Sequence, residues 1–131
     1  MAAILLDTTV LIDLLRGTPE TVSRLRGLRR SDDAPHVCAI NVEEVARGLR
    51  TEELEDARRL VSGLRIAELG EREGWRAGVW RREYAARGIT LSQADCLIAA
   101  AAHAVGGRLA TGNPRDFPMA ELNVEHWPVG E

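Results

Sequence analysis

Ala2-Ala3-Ile4-Leu5-Leu6-Asp7-Thr8-Thr9-Val10-Leu11-Ile12 is the stretch that decides the fold class. Ala2 to Leu6 is an unbroken apolar run with no polar alternation, the pattern of a strand buried on both faces in a parallel sheet. The run stops at Asp7, and Val10 to Leu15 then reads as a short helix. In open sheets of this kind ligands sit beyond the carboxyl ends of the strands, which is where Asp7 falls.

Working outward, Pro19 to Arg30 predicts a helix with Val22, Leu25 and Leu28 on one stripe. His36 to Ile40 predicts a second strand closed by Asn41. That residue is read as a helix N-cap, because Val42, Val45, Ala46 and Leu49 follow at helical spacing. Thr51, Glu52 and Glu53 open a further helix to about Leu64, and Arg65 to Leu69 reads as a short strand. Glu71 to Arg87 predicts an Arg-rich helix carrying Trp75, Val79, Trp80 and Tyr84, with Gly88 as its stop. Ser92 caps a helix from Gln93 to Val105, ended by Gly106 and Gly107. Arg108 to Thr111 is then a strand, followed by an Asn113-Pro114 turn. Strands and helices alternate, which predicts an α/β domain with a mainly parallel central sheet. At 131 residues the expectation is a single domain over residues 1–131.

Composition excludes several classes. The chain is 45% hydrophobic and 28% charged, the make-up of a globular protein. No stretch approaches the ~18 apolar residues that cross a bilayer, and the N-terminal apolar run lacks the flank and length of a signal peptide. Cys38 and Cys96 stand far apart without a second pair near either, so neither a disulfide framework nor a zinc knuckle is indicated. A cytoplasmic location without membrane contact is expected. The net charge of −3 supplies no general attraction for nucleic acid. All 17 basic residues are arginine. The absence of lysine excludes a G-x-x-x-x-G-K phosphate loop and Schiff-base chemistry.

The acids carry the functional signal. Asp7 follows the first strand, Glu44 lies in the first turn of the helix after the second, Asp95 lies in the first turn after Ser92, and Asp116 follows the Arg108 to Thr111 strand. All can face one edge of the sheet. Each also has a structural explanation. Asn41-x-x-Glu44 and Ser92-x-x-Asp95 match capping-box spacing, Asp7 can cap the helix that follows it, and Asp116 can be a turn acid. Gathered without a counter-ion, four carboxylates would repel and raise one another's pKa, and a hard cation would relieve this. An oxygen-only set suits Mg²⁺ or Mn²⁺. The chemistry that follows is phosphodiester hydrolysis by metal-activated water. His36, His103 and His126 lack metal-ligand spacing and are read as structural or exposed.

These motifs resemble the PIN-domain ribonucleases, and within them the VapC-type toxins of bacterial toxin–antitoxin pairs. Asp7-Thr8-Thr9-Val10-Leu11-Ile12 is similar to the opening Asp-Thr-Asn/Ser-Val-Leu-Ile of that family. Ile40 to Gly48 resembles its Ile-Thr-Val-x-Glu-Leu-x-x-Gly segment, an alignment that selects Glu44 over Glu43. Asp95 to Ala102 resembles Asp-x-x-Ile-Ala-Ala-x-Ala, and Thr111 to Phe117 resembles Thr-x-Asn-x-x-Asp-Phe. The resemblance covers Ile4 to about Phe117 and implies a PIN-like three-layer α/β fold. It implies Asp7, Glu44, Asp95 and Asp116 as catalytic metal ligands for Mg²⁺ or Mn²⁺, with Thr9 and Asn113 supporting them. Thr9 departs from the usual Asn or Ser but keeps a hydroxyl. The resemblance further implies an RNA substrate, a cognate antitoxin and a homodimer. Helical phase alone places Glu43 nearer the apolar stripe than Glu44.

RNA contact by a mildly acidic chain must use local arginines. Arg72, Arg76, Arg81, Arg82 and Arg87, or Arg24, Arg26, Arg29 and Arg30, are candidates, each also readable as a solvated helix face. Trp75 and Trp80, five residues apart, cannot both centre one stripe, so one is expected in the core and the other at a partner surface. Two further readings compete. A phosphatase with an Asp7 nucleophile would want a second acid two residues on and a lysine, and neither is present. A PIN-like binding module with an inactive centre is compatible with the motifs.

Overall fold

The structure, a computed structural model, describes residues 2–130. Its sheet contains β1 (Ala3–Leu6), β2 (Ala34–Val37), β3 (Arg65–Ile66), β4 (Arg108–Thr111) and β5 (Asn123–His126), in the spatial order β3-β2-β1-β4-β5. Every pairing is parallel. The helices are α1 (Thr8–Leu15), α2 (Pro19–Arg30), α3 (Ala39–Gly48), α4 (Leu54–Ser62), α5 (Glu71–Ala86) and α6 (Gln93–Ala104). Two short 3₁₀ turns, Thr51–Glu53 and Pro114–Asp116, precede α4 and follow β4.

The chain winds outward from β1 through β2 to β3, then crosses back to lay β4 and β5 on the other side of β1. The gap beyond the carboxyl ends of β1 and β4 is therefore the point where the winding reverses, the usual ligand crevice of such sheets. Alternation along β1 splits the core into layers. Ile4 and Leu6 pack with Val10, Leu11, Leu25, Leu28 and Val45 on one face, while Leu5 packs with Trp80, Ile98 and Leu109 on the other. The Ile4, Leu5 and Leu6 side chains of β1 are fully buried, each contributing about 1.5–3 kcal/mol. The expected α/β fold with helices flanking a parallel sheet is what the chain adopts.

Several boundaries differ from the sequence expectation. The second strand is Ala34–Val37, not His36 to Ile40, and α3 starts at Ala39. Pro35 masks this start, since it has no N–H for a ladder. It is accommodated because β3 reaches only His36 and Val37. The Arg65 strand is two residues long, and the helix begun at Thr51 is divided by its 3₁₀ turn. β5 was not expected. Its partly exposed residues at the sheet edge, Asn123, Val124, Glu125 and His126, carry little apolar signal.

Candidate metal centre at the carboxyl end of the sheet

Asp7 leaves β1 at the N-cap position of α1 but makes no side-chain cap. Its carboxylate turns to the neighbouring strand instead, where Oδ2 accepts the Thr111 hydroxyl at 2.7 Å and the Thr9 hydroxyl at 3.3 Å. Thr9 Oγ1 in turn accepts the Gly112 N–H at 3.0 Å, and Thr111 Oγ1 accepts the Asn113 N–H at 3.0 Å. The turn after β4 is thus stitched to the first residues of α1 through two hydroxyls. Gly112 is required by close approach, because a Cβ there would stand 2.8 Å from Val129 Cγ1 and 3.3 Å from Thr9 Oγ1.

Glu44 is set by a second relay. Thr8 donates its hydroxyl to Glu44 Oε1 at 2.6 Å, and Asn41 Nδ2 donates to Thr8 Oγ1 at 3.2 Å. Asn41 Oδ1 accepts the Cys38 N–H at 3.0 Å and lies 3.2 Å from the Cys38 thiol. Asn41 is fully buried in the first turn of α3, so it is not the N-cap and the Asn41-x-x-Glu44 capping box does not form. The phase argument for Glu43 is also overturned. A buried amide occupies the position expected of an apolar residue, which rotates Val42 into solvent and Glu44 inward. Glu43 is exposed and paired with Arg47 at 3.0 Å.

Asp95 lies in the first turn of α6, where its own N–H donates to the Ser92 hydroxyl at 3.0 Å, as the capping reading expected. Burial pushes its carboxyl up from 3.8 to about 6; the Ser92 hydrogen bond opposes this, and the charges of Asp116, Asp7 and Glu44 add to it. Asp7 is raised as well, by burial first and in part by Glu44, against the lowering effect of its hydrogen bonds from Thr111, Thr8 and Thr9. The four acids named from the sequence therefore share one electrostatic field. Asp116 ends the exposed 3₁₀ turn after β4, anchored behind by buried Phe117 and Met119 and by the Tyr84 hydroxyl on Pro118 O at 2.9 Å.

Among the described residues no three His, Cys, Asp or Glu side chains close on one point as a finished ligand cage. Burial first, with the charges of the neighbouring acids adding to it, holds the Asp7 and Asp95 carboxyls above their ordinary value. The all-oxygen donor set fits Mg²⁺ or Mn²⁺, and Mg²⁺ typically keeps several of its own waters. The histidines lie elsewhere: His36 Nδ1 donates to Ala34 O at 2.8 Å, His103 stands edge-on to Trp80, and His126 is on β5.

Three participants were not assigned to the site by sequence reasoning. Thr8, Asn41 and Thr111 do most of the positioning, whereas the Asn113 side chain is exposed and only its backbone joins the network. Thr111 opens the last of the quoted motifs, and its place at a strand end beside Asp7 was the available signal.

Residues 4–121 match the PIN domain family, and with this parallel sheet and acid cluster the chain belongs to that family. It is 34% identical over 128 residues, covering 98% of this chain and 88% of the relative, to Ribonuclease VapC10 of Mycobacterium tuberculosis. Its fold matches the crystal structure of VapBC2 from Rickettsia felis bound to a promoter DNA fragment, with a TM-score of 0.83 at 21% identity over 95% of this chain and 98% of that one. A toxin–antitoxin complex from Klebsiella pneumoniae matches with a TM-score of 0.75 at 25% identity, over 92% and 95% of the two chains. No described helix is long and apolar enough to cross a membrane.

Proposed function

We propose that this chain is a Mg²⁺- or Mn²⁺-dependent endoribonuclease and the toxin of a toxin–antitoxin pair, with residues 1–131 acting as one nuclease unit. The observation that carries the reading is the gathering of Asp7, Glu44, Asp95 and Asp116 at the carboxyl end of the sheet, where burial first and then the charges of the other three acids oppose ionisation of Asp95. Such an arrangement stores repulsion that a divalent cation relieves. The similarity to Ribonuclease VapC10 supports RNA as the substrate.

In this reading Asp7, Glu44, Asp95 and Asp116 hold the cation. Bound metal supplies Lewis acidity and neutralises phosphodiester charge. The chain supplies orientation. Thr111 and Thr9 fix the Asp7 carboxylate, Thr8 fixes Glu44, and Ser92 fixes the first turn of α6 on which Asp95 sits. Asn113 contributes through its backbone, which braces Thr111. No side-chain nucleophile is needed.

An antitoxin partner is supported by the Klebsiella toxin–antitoxin match. It is supported also by a cavity of about 380 Å³ between α3 and α4, lined by Val42, Val45, Ala46, Leu54, Ala57 and Val61. An apolar partner segment suits that lining.

The test is cleavage of total and transfer RNA by purified protein with Mg²⁺ or Mn²⁺, beside Asp95→Asn and an EDTA control. Metal-dependent cutting lost in the variant supports the reading. Equal cutting by both proteins removes Asp95 from the centre. Metal binding without cutting of any RNA favours the inactive binding module.

A further inference from the structure

Residues 127–130, Trp-Pro-Val-Gly, contain no acid, yet they lie against the carboxyl edge of the sheet beside the centre. Trp127 is buried, with the Arg24 guanidinium 5.9 Å from its ring centroid, and its N–H donates to Thr111 O at 2.9 Å. The Gly130 N–H donates to Asp13 Oδ1 at 3.1 Å, and Asp13 is itself buried in α1 under the Thr18 and Thr21 hydroxyls. The segment is therefore tied at one end to β4 and at the other to α1. Between the ties, Val129 fills the space where a side chain at position 112 would stand. A Cβ on Gly112 would lie 2.8 Å from Val129 Cγ1 and 3.1 Å from Cγ2. The N–H of that same glycine donates to Thr9 Oγ1, and Thr9 donates to the Asp7 carboxylate.

We propose that Val129 is a positioning residue of the metal centre, acting as the middle of a strap that clamps the turn after β4 against α1. The inference rests on the nuclease reading, because the group it fixes is the Asp7 carboxylate. Asp7 leaves β1, but its hydroxyl donors come from the two sides of this junction, Thr9 from α1 and Thr111 from β4. Both stay aimed at the one oxygen, Oδ2, only while α1 and the turn keep their separation. That separation is set by the bond from Gly112 to Thr9 and by the seat of Val129 on Gly112. The same turn runs directly into the Pro114–Asp116 turn, so its position also sets Asp116 relative to Asp7. Groups that hold a metal must be kept within about 0.5 Å of their working geometry, and a β-branched side chain, stiff at χ1, suits that task. Val129 is 39% exposed and belongs to neither core layer, so its contact with the turn, and not burial in the core, is what its removal takes away.

The experiment measures Mn²⁺ affinity by titration calorimetry, with kcat and KM for cleavage of transfer RNA alongside. It uses the full chain as wild type, Val129→Ala, Val129→Ile, Gly112→Ala, and the double variant Gly112→Ala with Val129→Ala. Melting curves fix a working temperature at which every variant is folded. Val129→Ala is expected to weaken Mn²⁺ binding about tenfold and to lower kcat by a similar factor with KM little changed, as for groups that orient metal ligands. Val129→Ile keeps both γ carbons and is expected to match wild type within about threefold. Gly112→Ala drives a methyl into the valine and is expected to lose about tenfold or more. Removing the valine's γ carbons from that variant opens the space again, so the double variant is expected to bind Mn²⁺ more tightly than Gly112→Ala alone, a coupling that independent losses do not give. Val129→Ala with wild-type Mn²⁺ affinity and kcat, or a double variant whose losses simply add, would overturn the assignment of Val129 and leave the nuclease reading standing. A wild type that neither binds Mn²⁺ nor cuts RNA would overturn the nuclease reading and this assignment with it.

Discussion

Thr8 and Glu44 are 36 residues apart in sequence, yet the Thr8 hydroxyl donates to Glu44 Oε1 at 2.6 Å, joining the start of α1 to α3. The same hydroxyl accepts from Asn41 at 3.2 Å, so its proton has one direction left to point. Thr8→Val keeps the shape and removes both bonds. Its RNA-cleavage rate is expected to fall about 10–100-fold, the usual range for groups that orient metal-binding residues, with the far-UV spectrum unchanged. Full activity in this variant would show that Glu44 needs no such support.

Glu43 and Glu44 separate cleanly. Glu44→Gln is expected to abolish metal-dependent cutting, while Glu43→Gln cuts at the wild-type rate and melts at the wild-type temperature. Glu43 reaches only exposed Arg47, and exposed pairs of this kind contribute little. Loss of cutting in Glu43→Gln with retention in Glu44→Gln would exchange their roles.

Removing a charge from the centre is expected to stabilise the metal-free protein. The folded Asp95 carboxyl, at about 6 against 3.8, holds its proton more tightly than the unfolded chain does. Its contribution favours folding at low pH and is lost as pH rises through about 6. At neutral pH the ionised group opposes folding, so Asp95→Asn in EDTA should raise stability by roughly 1–2 kcal/mol after allowance for solvent screening. Melting curves at pH 7.5 and pH 4 provide the check, the gap closing at the lower value. Mg²⁺ should raise the wild-type Tm more than that of the variant.

Asp13 shows the opposite sign. It is buried between α1 and α2, where burial alone would raise its carboxyl. Donors from Thr21, from Thr18 at 2.8 Å and from the Gly130 N–H at 3.1 Å outweigh that and hold it below its ordinary value. Its contribution is present above 3.8 and is lost as pH falls through the lower folded value. Asp13→Asn should therefore melt lower than wild type at neutral pH, by about 1–3 kcal/mol, with the difference shrinking below about pH 4. An undiminished difference in acid would mean that the charge is not what matters.

The long elements and the placement of the four acids at strand ends and helix starts were legible in the sequence because they rest on signals of local chemistry. Asp7 ends a run that only a two-sided buried strand explains, and Ser92 with Asp95 marks a helix start through a bond that the structure contains. What was not legible depends on contacts between distant segments. Cys38 to Ile40 continues an apolar run, and such short runs do not reveal whether strand or helix follows. The buried Asn41 broke the helical phase because its distant partner, Thr8, becomes visible only when the start of α1 lies beside α3. β5 is an edge strand whose pairing with β4 is made by backbone. Trp75 and Trp80 divided as expected, one outside and one in the core.

The bond between Thr111 and Asp7 spans 104 residues and ties the central strand of the sheet to a neighbour that is synthesised much later. β1 lacks its β4 neighbour, and Asp7 lacks the Thr111 hydroxyl, until the 104 residues that separate them have been made. Long-range parallel pairing of this sort forms late and slowly. A growing chain on the ribosome thus carries Asp7 without an assembled centre until β4 has been made. The acid that ends β1 and the acid that follows β4 come to one edge only once β4 has docked against β1.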